Sequence, residues 1–241
     1  MNFSIIIPTR NRIVLFEELM ESLRRNTKHK DKIEILVMGQ EDDPPTIEIL
    51  PKWKKEYSDL NLRYWILPWT EKYCTEYRRF LSQKSVGKFI CSNEDEHEYM
   101  TKDWDALLLK RFEEFLKDKP DGVLYGRVRD NNGDNQLKYS CCPILSKKAL
   151  EILNYEFYDM RYYGWGADQN LFVLFTGMKN QRICYIQDVF IKHKSHHHRA
   201  RAEDDTNRLV AELNNRHPMG ALDDDITDTR RKKLDGFING E

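Results

Sequence analysis

Residues 87–98 read Gly87-Lys88-Phe89-Ile90-Cys91-Ser92-Asn93-Glu94-Asp95-Glu96-His97-Glu98. The first half is short, apolar and introduced by a glycine, which predicts a buried β-strand. The second half places three carboxylates where that strand ends, and like charges this close repel one another unless a counter-ion lies between them. A divalent cation that prefers oxygen, Mg²⁺ or Mn²⁺, removes this repulsion, most simply when a diphosphate supplies the remaining ligands. A solvated acidic loop is the competing interpretation.

The sequence around this stretch predicts a sheet whose strands alternate with helices. Residues 3–7 and 33–38 are apolar runs without alternation, typical of strands buried on both faces of a parallel sheet. We therefore predict an α/β, Rossmann-like fold with a mixed, mostly parallel sheet flanked by helices, and right-handed βαβ crossovers. Ligands of such sheets bind at the carboxyl ends of the strands. The predicted strands here are 3–7, 33–38, 63–67 and 87–92, and the predicted helices are 14–25, 76–85 and 103–116.

The second half of the chain predicts antiparallel character and a helical end. Asn131-Asn132-Gly133-Asp134 is a turn sequence, because Asn-Gly favours positive φ, and it predicts a small β-hairpin of Val123–Arg129 with Gln136–Cys142. We expect one domain over residues 1–200 and a helical C-terminal extension, 201–241, packed on it. The remaining predicted elements are helices at 147–153 and from 171 to about 177, a last strand pair at 183–191, and helices at 206–215 and 228–238.

The composition limits the class of protein. The chain has 241 residues, of which 40% are hydrophobic and 33% charged, and its formal net charge of −1 gives no general attraction to nucleic acid. No apolar run reaches the roughly 18 residues of a transmembrane helix, and the start of the sequence has no signal-peptide pattern. The 5 cysteines are scattered without CxxC spacing, which predicts reduced thiols in a cytoplasmic protein rather than disulfides or structural zinc.

A basic loop follows the first predicted strand. It reads Pro8-Thr9-Arg10-Asn11-Arg12. Arg10 and Arg12 stand at the strand end where ligands are expected, and arginine offers several donors in one plane to a phosphate, a ribose or a base. The competing interpretation is a pair of solvated arginines.

An aromatic and glycine-rich stretch is the most specific sequence in the chain. It reads Tyr162-Tyr163-Gly164-Trp165-Gly166-Ala167-Asp168 and leads into the apolar helix predicted from residue 171. The glycines allow tight backbone geometry and an approachable surface. Asp168 lies near the helix N-terminus, where the helix dipole favours a carboxylate. A simple N-cap aspartate beside core aromatic residues is the competing interpretation.

Several histidines follow the last predicted strand. They are His193 and the consecutive His196, His197 and His198. A histidine just past a strand can bind a metal ion, but three consecutive ones cannot all face one ion from a regular strand. We therefore favour His193 as a ligand over the other three, which a solvated loop or adventitious metal binding would explain.

The order of these features resembles the GT-A fold glycosyltransferases, in particular the large inverting family 2. Residues 8–12 are similar to the Pro-Thr/Ala-x-Asn-Arg segment that ends the first strand of that family. Residues 87–96 are similar to its G-x-[YF]-I strand followed by a DxD metal motif. Residues 165–171 resemble its W-G-x-E-D-x-x-L signature near the acceptor site, and His193 stands where a histidine completes its metal site. The resemblance covers roughly residues 3–195.

The resemblance implies a hexosyltransferase-type enzyme of glycan biosynthesis. Such an enzyme moves a sugar from a nucleoside diphosphate sugar, a UDP- or GDP-sugar, to a hydroxyl of a glycan, lipid-linked or protein acceptor, with inversion. A lipid-linked acceptor would make it peripheral to a membrane. The implied general base is Asp168, and the implied cofactor is Mn²⁺ or Mg²⁺. The implied metal ligands are Asp95, Glu96 and His193; the nucleotide-sugar residues are Pro8, Thr9, Arg10, Arg12, Glu41, Arg78, Glu94 and Asp95; the acceptor or sugar residues are Tyr163, Gly164, Trp165 and Gly166.

The sequence departs from the family pattern at three places. Glu94-Asp95-Glu96 stands for the DxD motif, and Ala167-Asp168 keeps only the second acid of the usual pair. The aspartate that meets the base after the second strand is replaced, with Glu41 and Asp42 as its candidate substitutes. Two alternatives stay open: a non-catalytic GT-A-like module that binds carbohydrate or nucleotide, and a sugar nucleotidyltransferase, whose usual glycine-rich loop is missing from residues 8–12.

Overall fold

The computed structural model describes residues 1–131, 139–163, 166–178, 180–194 and 224–240. Within them the strands are β1 (Phe3–Pro8), β2 (Ile33–Gln40), β3 (Leu62–Leu67), β4 (Phe89–Ser92), β5 (His97–Tyr99), β6 (Tyr125–Arg129), β7 (Ile144–Ser146) and β8 (Ile183–His193). The helices are α1 (Ile13–Asn26), α2 (Pro44–Glu56), α3 (Tyr73–Lys84), α4 (Trp104–Leu116), α5 (Lys147–Ile152), α6 (Ala167–Thr176) and α7 (Asp224–Asn239).

The strands form one mixed sheet in the order β3-β2-β1-β4-β7-β6-β8-β5. The neighbours β3, β2, β1 and β4 are all parallel. The pair β6·β8 is also parallel, whereas β4·β7, β6·β7 and β5·β8 are antiparallel. The predicted fold class, a mixed and mostly parallel sheet flanked by helices, is confirmed.

Successive residues of β1 explain why the sheet carries helices on both faces. Side chains of a strand alternate between faces, and Ile5 belongs to an apolar cluster with residues of α1, α2 and α4, including Trp53 and Trp104. Ile6 belongs to a second cluster with residues of α3, α5, α6 and α7, including Leu81 and Leu234. Both faces are therefore buried, as the unbroken apolar run of β1 requires.

The start of the acidic stretch fits tightly against β1. A Cβ atom on Gly87 would lie 2.6 Å from the backbone nitrogen of Ser4, so only glycine fits there. The amide of Gly87 donates to Ser4 Oγ over 2.8 Å, and that hydroxyl donates to the buried Glu34 over 2.5 Å. This close approach sets the register of β4 beside β1, with Ile5 opposite Cys91.

The predicted hairpin is wrong in its second arm. Residues 139–142 form no strand in the described part of that arm, and the antiparallel partner of β6 is β7, residues 144–146. The tertiary position of β6 between β7 and β8 outweighs the local turn signal. The predicted last strand pair is a single strand, β8, with an irregularity in its pairing to β6.

Besides β7, two further elements were not predicted, and one prediction lies outside the described residues. Helix α2 begins with Pro44 and Pro45, which read as a turn, and it also contains Pro51. Strand β5 lies where the sequence predicted an acidic loop. The predicted helix at 206–215 falls outside the described residues, whereas the helix predicted at 228–238 is α7.

All five cysteines are free thiols in this structure. Among the described helices, none combines the length and the apolar character needed to cross a bilayer.

Candidate active site

The carboxyl ends of β1, β2 and β4 lie together at one edge of the sheet. Strand β1 pairs in parallel with both β2 and β4, so the loops that follow these strands leave the sheet side by side. The amide of Asn93 still donates to Ile6 of β1 over 2.9 Å, and that of Thr9 to Met38 of β2 over 2.9 Å. The predicted basic loop, residues 8–12, and the acidic residues 94–96 therefore face each other.

Asp95 is the buried centre of this edge. It accepts hydrogen bonds from Thr9 Oγ1 over 2.9 Å and from Arg12 Nη1 over 3.0 Å. Burial raises the pKa of Asp95 to about 6; Arg12 opposes this shift, and the neighbouring Glu94 and Glu96 add to it. The basic loop thus supplies a counter-ion to the acidic stretch within the chain itself.

Glu96 links the acidic stretch to the end of β8. Its Oε1 lies 2.7 Å from His193 Nε2, and its Oε2 lies 3.4 Å from Arg12 Nη1. Antiparallel pairing of β5 with β8 places His97 opposite His193, and their rings meet edge to face with centroids 5.1 Å apart. Burial, together with His193, lowers the pKa of His97 well below its ordinary value. His97 is therefore a neutral ring packed against a predicted metal ligand.

Arg78 neutralises the other side of the acidic stretch. It is buried on α3, and its Nη2 contacts the carboxylate of Glu94. Its Nε donates to Ser92 Oγ over 2.9 Å, and its Nη1 donates to the carbonyl of Cys74 over 2.9 Å. Burial lowers the pKa of Arg78, but Glu94, Cys74, Tyr158 and Tyr73 together more than offset this, so the net pKa is raised. The guanidinium is fixed in a charged, buried position.

Arg10 turns towards the loop after β2. Its Nη1 donates to Gln40 over 2.7 Å and to Asp42 over 2.5 Å, whereas the predicted Glu41 is exposed. Of the two candidate substitutes for the base-contacting aspartate, only Asp42 therefore contacts the basic loop in the described structure. A small cavity opens here, lined by Arg10, Asn11, Asp42, Asp43, Pro44 and Pro45.

Asp168 lies in the first turn of α6. Gly166 precedes the helix with φ +89°, a left-handed conformation that glycine adopts without strain. Asp168 Oδ1 accepts from the amide of Gln169 over 2.9 Å. Burial raises the pKa of Asp168 to about 6, and the negative charge of Glu94 adds to this rise. Hydrogen bonds from backbone amides and the positive charge of Arg78 oppose it. Asp168 is thus a half-buried carboxylate close enough to the acidic stretch to interact with it electrostatically.

The predicted acceptor residues are only partly described. Tyr163 is half-buried, and the ammonium of Lys72 lies 5.2 Å from the centroid of its ring. Gly164 and Trp165 lie outside the described residues. Tyr163 and Gly166 are the described residues on either side of them.

Sequence reasoning missed several residues of this edge. The missed residues include the partners of Arg78. Its guanidinium lies 5.3 Å from the ring centroid of Tyr158 and also contacts Ser92 and Cys74, none of which the sequence singled out. His97 stood inside the quoted acidic stretch, and its role beside His193 depends on the pairing of β5 with β8. Only the spatial arrangement reveals these contacts.

The side chains offer donors suited to a divalent metal. Glu96 and His193 are already in contact, and a carboxylate with an imidazole is a ligand combination that Mn²⁺ accepts. Asp95 is the adjacent carboxylate, bound by Arg12 in this structure. Over the described residues, no three or more histidine, cysteine, aspartate and glutamate side chains converge as an ion-binding group. The donor types therefore fit a metal, provided that Asp95 exchanges Arg12 for it.

Comparison with protein families identifies a family that covers most of the chain. The model described as "Glycosyl transferase family 2" matches residues 4–172, a range that contains β1, the acidic stretch and Asp168. No curated protein matches the sequence.

Solved structures of similar fold include several glycosyltransferases. One is the mannosyltransferase PcManGT from Pyrobaculum calidifontis in complex with GDP-Man and Mn²⁺, with a TM-score of 0.68 and 15% identity over 98% of this chain and 69% of that chain. Another is S. aureus TarS 1–349 in complex with UDP-GlcNAc, with a TM-score of 0.61 and 17% identity over 98% and 75%. GalNAc-T7 with UDP, GalNAc and Mn²⁺ has a TM-score of 0.58 and 12% identity over 80% and 43%. The fold is GT-A.

Proposed function

The chain belongs to glycosyl transferase family 2, and from this membership we propose that it transfers a sugar from a UDP- or GDP-sugar to an acceptor hydroxyl with inversion. The observation that carries the proposal is the placement of Asp168. A half-buried carboxylate at the start of α6 faces an acidic strand end, and its pKa of about 6 suits a group that accepts a proton near neutral pH. The donors seen in GT-A neighbours, UDP-GlcNAc and GDP-Man, define the class of substrate to test first.

In this proposal Asp168 is the general base. It accepts the proton of the acceptor hydroxyl while that oxygen forms a bond to the anomeric carbon of the donor. The bond from the anomeric carbon to the diphosphate oxygen breaks on the opposite face, and the electron pair leaves with the nucleoside diphosphate. Because attack and departure occur on opposite faces, the configuration inverts.

The charge that develops on the diphosphate requires cations at the edge of the sheet. Arg12 and Arg78 are buried or nearly buried guanidinium groups there, and each already holds a carboxylate. Preorganised charges in a site that excludes water stabilise such a leaving group more strongly than the same charges in water. We infer that Pro8, Thr9 and Arg12 of the first loop, with Glu94 and Asp95, surround the diphosphate, and that Arg78 completes the cationic side.

The nucleoside would occupy the cavity beside Arg10. That cavity lies between the loop after β1 and the start of α2, and Asp42 and Gln40 hold the guanidinium of Arg10 there. Glu41 is exposed next to them and, in this proposal, would contact a ribose hydroxyl. Hydrogen-bonding groups around a base fix its identity, so these residues would set the choice between UDP and GDP.

A metal ion, Mn²⁺ or Mg²⁺, would be held by Asp95, Glu96 and His193. When bound, it would neutralise charge on the diphosphate. Tyr163 and Gly166, with Gly164 and Trp165, would bind the sugar or the acceptor, which is a glycan, a lipid-linked sugar or a protein. We also propose that residues 1–200 form the catalytic domain and 201–241 its extension, and that the protein acts in the cytoplasm.

The first test is thermal stability in the presence of UDP, GDP, CDP and dTDP, each with and without Mn²⁺. A ligand present at 100 times its dissociation constant adds about 2.7 kcal/mol to the free energy of unfolding. We expect one diphosphate to raise the melting temperature strongly, and more so with Mn²⁺. No shift with any of the four would count against donor binding.

The second test is turnover of the donor that binds. Asp168→Asn keeps the shape of the side chain but removes the proton acceptor, and we expect turnover to fall at least about 100-fold while nucleotide affinity is retained. Asp188→Asn is the matched control, because Asp188 pairs with Arg111 on the exposed surface of β8 and α4. Full activity of Asp168→Asn would refute the assignment of the base.

A further inference from the structure

We propose that α7 is a positioning element of the active site, in which Thr227, Arg230 and Arg231 hold helix α6 and the segment that leads to Tyr163. This inference rests on the proposed function, because it takes Asp168 of α6 as the base. Helix α7 packs against α6 and α5. It follows the matched family region, residues 4–172, in the chain.

The first contact is a buried hydrogen bond close to the base. Asn170 is fully buried two residues after Asp168, and its Nδ2 donates to Thr227 Oγ1 over 2.8 Å. The amide of Asn170 donates to the carbonyl of Gly166 over 2.8 Å, which closes the first turn of α6. A buried amide that loses its partner pays the full desolvation penalty. The hydroxyl of Thr227 therefore fixes the turn that carries Asp168.

The second contact is at the other end of α6. The guanidinium of Arg231 lies 3.3 Å from the carbonyl oxygen of Val173 and 3.5 Å from that of Leu174. These carbonyls belong to the last turn of α6, where the helix dipole favours a cation, and the carbonyl of Val173 also accepts the backbone amide of Gly177 over 3.2 Å. Gly177 allows this approach, because a Cβ atom there would overlap the guanidinium of Arg231. Arg231 thus caps α6 from a separate helix.

The third contact holds the segment before Tyr163. Arg230 is 3% exposed, and its Nη2 donates to the carbonyls of Glu156 over 2.7 Å and of Phe157 over 3.3 Å. Asp159 lies in the same segment. Burial raises its pKa, but Arg161 and, to a smaller extent, the positive charge of Arg230 lower it, and the net pKa is lowered. One helix therefore binds both chain segments that border the acceptor residues.

These contacts predict a separation between chemistry and donor binding. The proposed donor residues lie at the end of β1, in the loops after β1, β2 and β4, and on α3, whereas Thr227 and Arg231 act on α6. A small displacement of a reacting group lowers the reaction rate strongly, whereas it has little effect on the affinity for a ligand that other residues bind. Loss of an α7 contact should therefore lower kcat and leave the affinity for the nucleoside diphosphate nearly unchanged.

The experiment compares Thr227→Val, Arg230→Met and Gly177→Ala with the control Gly236→Ala, all in the full chain. Gly236 lies on α7 with open space around its Cβ position, so alanine there strengthens the helix without touching α6. Three quantities are measured well below the melting temperature: kcat, the dissociation constant of UDP or GDP, and amide hydrogen exchange of residues 167–176.

We expect Thr227→Val to lower kcat about ten-fold, with Arg230→Met and Gly177→Ala changing it in the same direction. The dissociation constant should stay within about two-fold of the wild-type value, and exchange across α6 should become faster; Gly236→Ala should match the wild type. Unchanged kcat and unchanged exchange in all three variants would overturn the proposal.

Failure of the proposed function gives a different pattern. If the wild-type protein turns over no donor, the assignment of transferase activity fails, but hydrogen exchange still tests the docking. Faster exchange of α6 in Thr227→Val than in Gly236→Ala would then support the positioning role, and equal exchange would refute it.

Discussion

The pH dependence of turnover tests the proposed base most directly. Burial raises the pKa of Asp168 to about 6, and only its ionised form can accept a proton. With a pKa of about 6, about 9% of the side chain is ionised at pH 5 and about 91% at pH 7. The rate at pH 5 should therefore be about one-tenth of the rate at pH 7, and it should rise as pH rises through about 6.

An ordinary aspartate would behave differently. With a pKa of about 3.9 it would be more than 90% ionised at pH 5, so the two rates would be nearly equal. The assay measures initial rates at saturating donor and acceptor between pH 4.5 and 8, with melting curves at each pH to confirm that the protein stays folded. A profile that is flat between pH 5 and pH 7 would refute the reasoning.

A neighbouring substitution tests whether the titrating group interacts with Glu94, a response that Asp168 shares with Asp95, whose pKa burial and Glu94 likewise raise to about 6. Glu94 adds to the raised pKa of Asp168, and Arg78, which now contacts Glu94, opposes it. Glu94→Gln removes the like charge and releases Arg78, so the midpoint of the pH profile should move to lower pH. The other groups that interact with Asp168 are the thiols of Cys74 and Cys141 and the phenols of Tyr125 and Tyr158, each with its pKa raised by burial and therefore neutral over this range. A midpoint that does not move in Glu94→Gln would assign the titration to a group other than Asp168.

Three further predictions concern stability and are checked by urea unfolding. Glu34→Ala should lower the free energy of unfolding by about 2–3 kcal/mol, because the buried carboxylate accepts from Ser4 and from two other donors; a loss below about 0.5 kcal/mol would contradict this. Gly87→Ala should lower the free energy of unfolding by at least about 2 kcal/mol, because the new Cβ would lie 2.6 Å from the backbone nitrogen of Ser4. Unchanged stability would show that β4 can move away from β1. Arg12→Met should lower the free energy of unfolding by about 3 kcal/mol, because it leaves Asp95 buried beside other carboxylates without its counter-ion. Added Mn²⁺ should restore part of this loss. Unchanged stability in metal-free buffer would show that Arg12 is not the counter-ion.

The parallel half of the sheet could be predicted from the sequence because its strands are buried on both faces. All six residues of β1 and all eight of β2 are buried, which leaves no room for polar alternation and produces runs that are easily recognised. The helix α2 could not be predicted in the same way. Pro44 and Pro45 read as turn residues, although they occupy the first helical turn, where a missing amide is tolerated.

The sequence predicts which residue types form the site, but it does not predict which side chains contact each other. A basic loop after β1 and an acidic stretch after β4 had to meet, because parallel neighbours end at the same edge. That Arg12 holds Asp95 and Glu96 depends on contacts across 83 and 84 positions, which no local pattern encodes. The same holds for Asn170 and Thr227, which are 57 positions apart.

The short strand β5 has a consequence for how the protein folds. It lies at the end of the strand order and pairs with β8. The contact between Glu96 and His193 beside it therefore joins residues 97 positions apart in the chain. Contacts between distant positions form slowly, because the entropy of closing the intervening loop is lost before the contact stabilises the chain. Strands β1, β2, β3 and β4 involve only the first 92 residues and carry no such delay. During refolding we therefore expect the apolar sheet to be buried early, and the pair Glu96–His193 to form in a later, separate step.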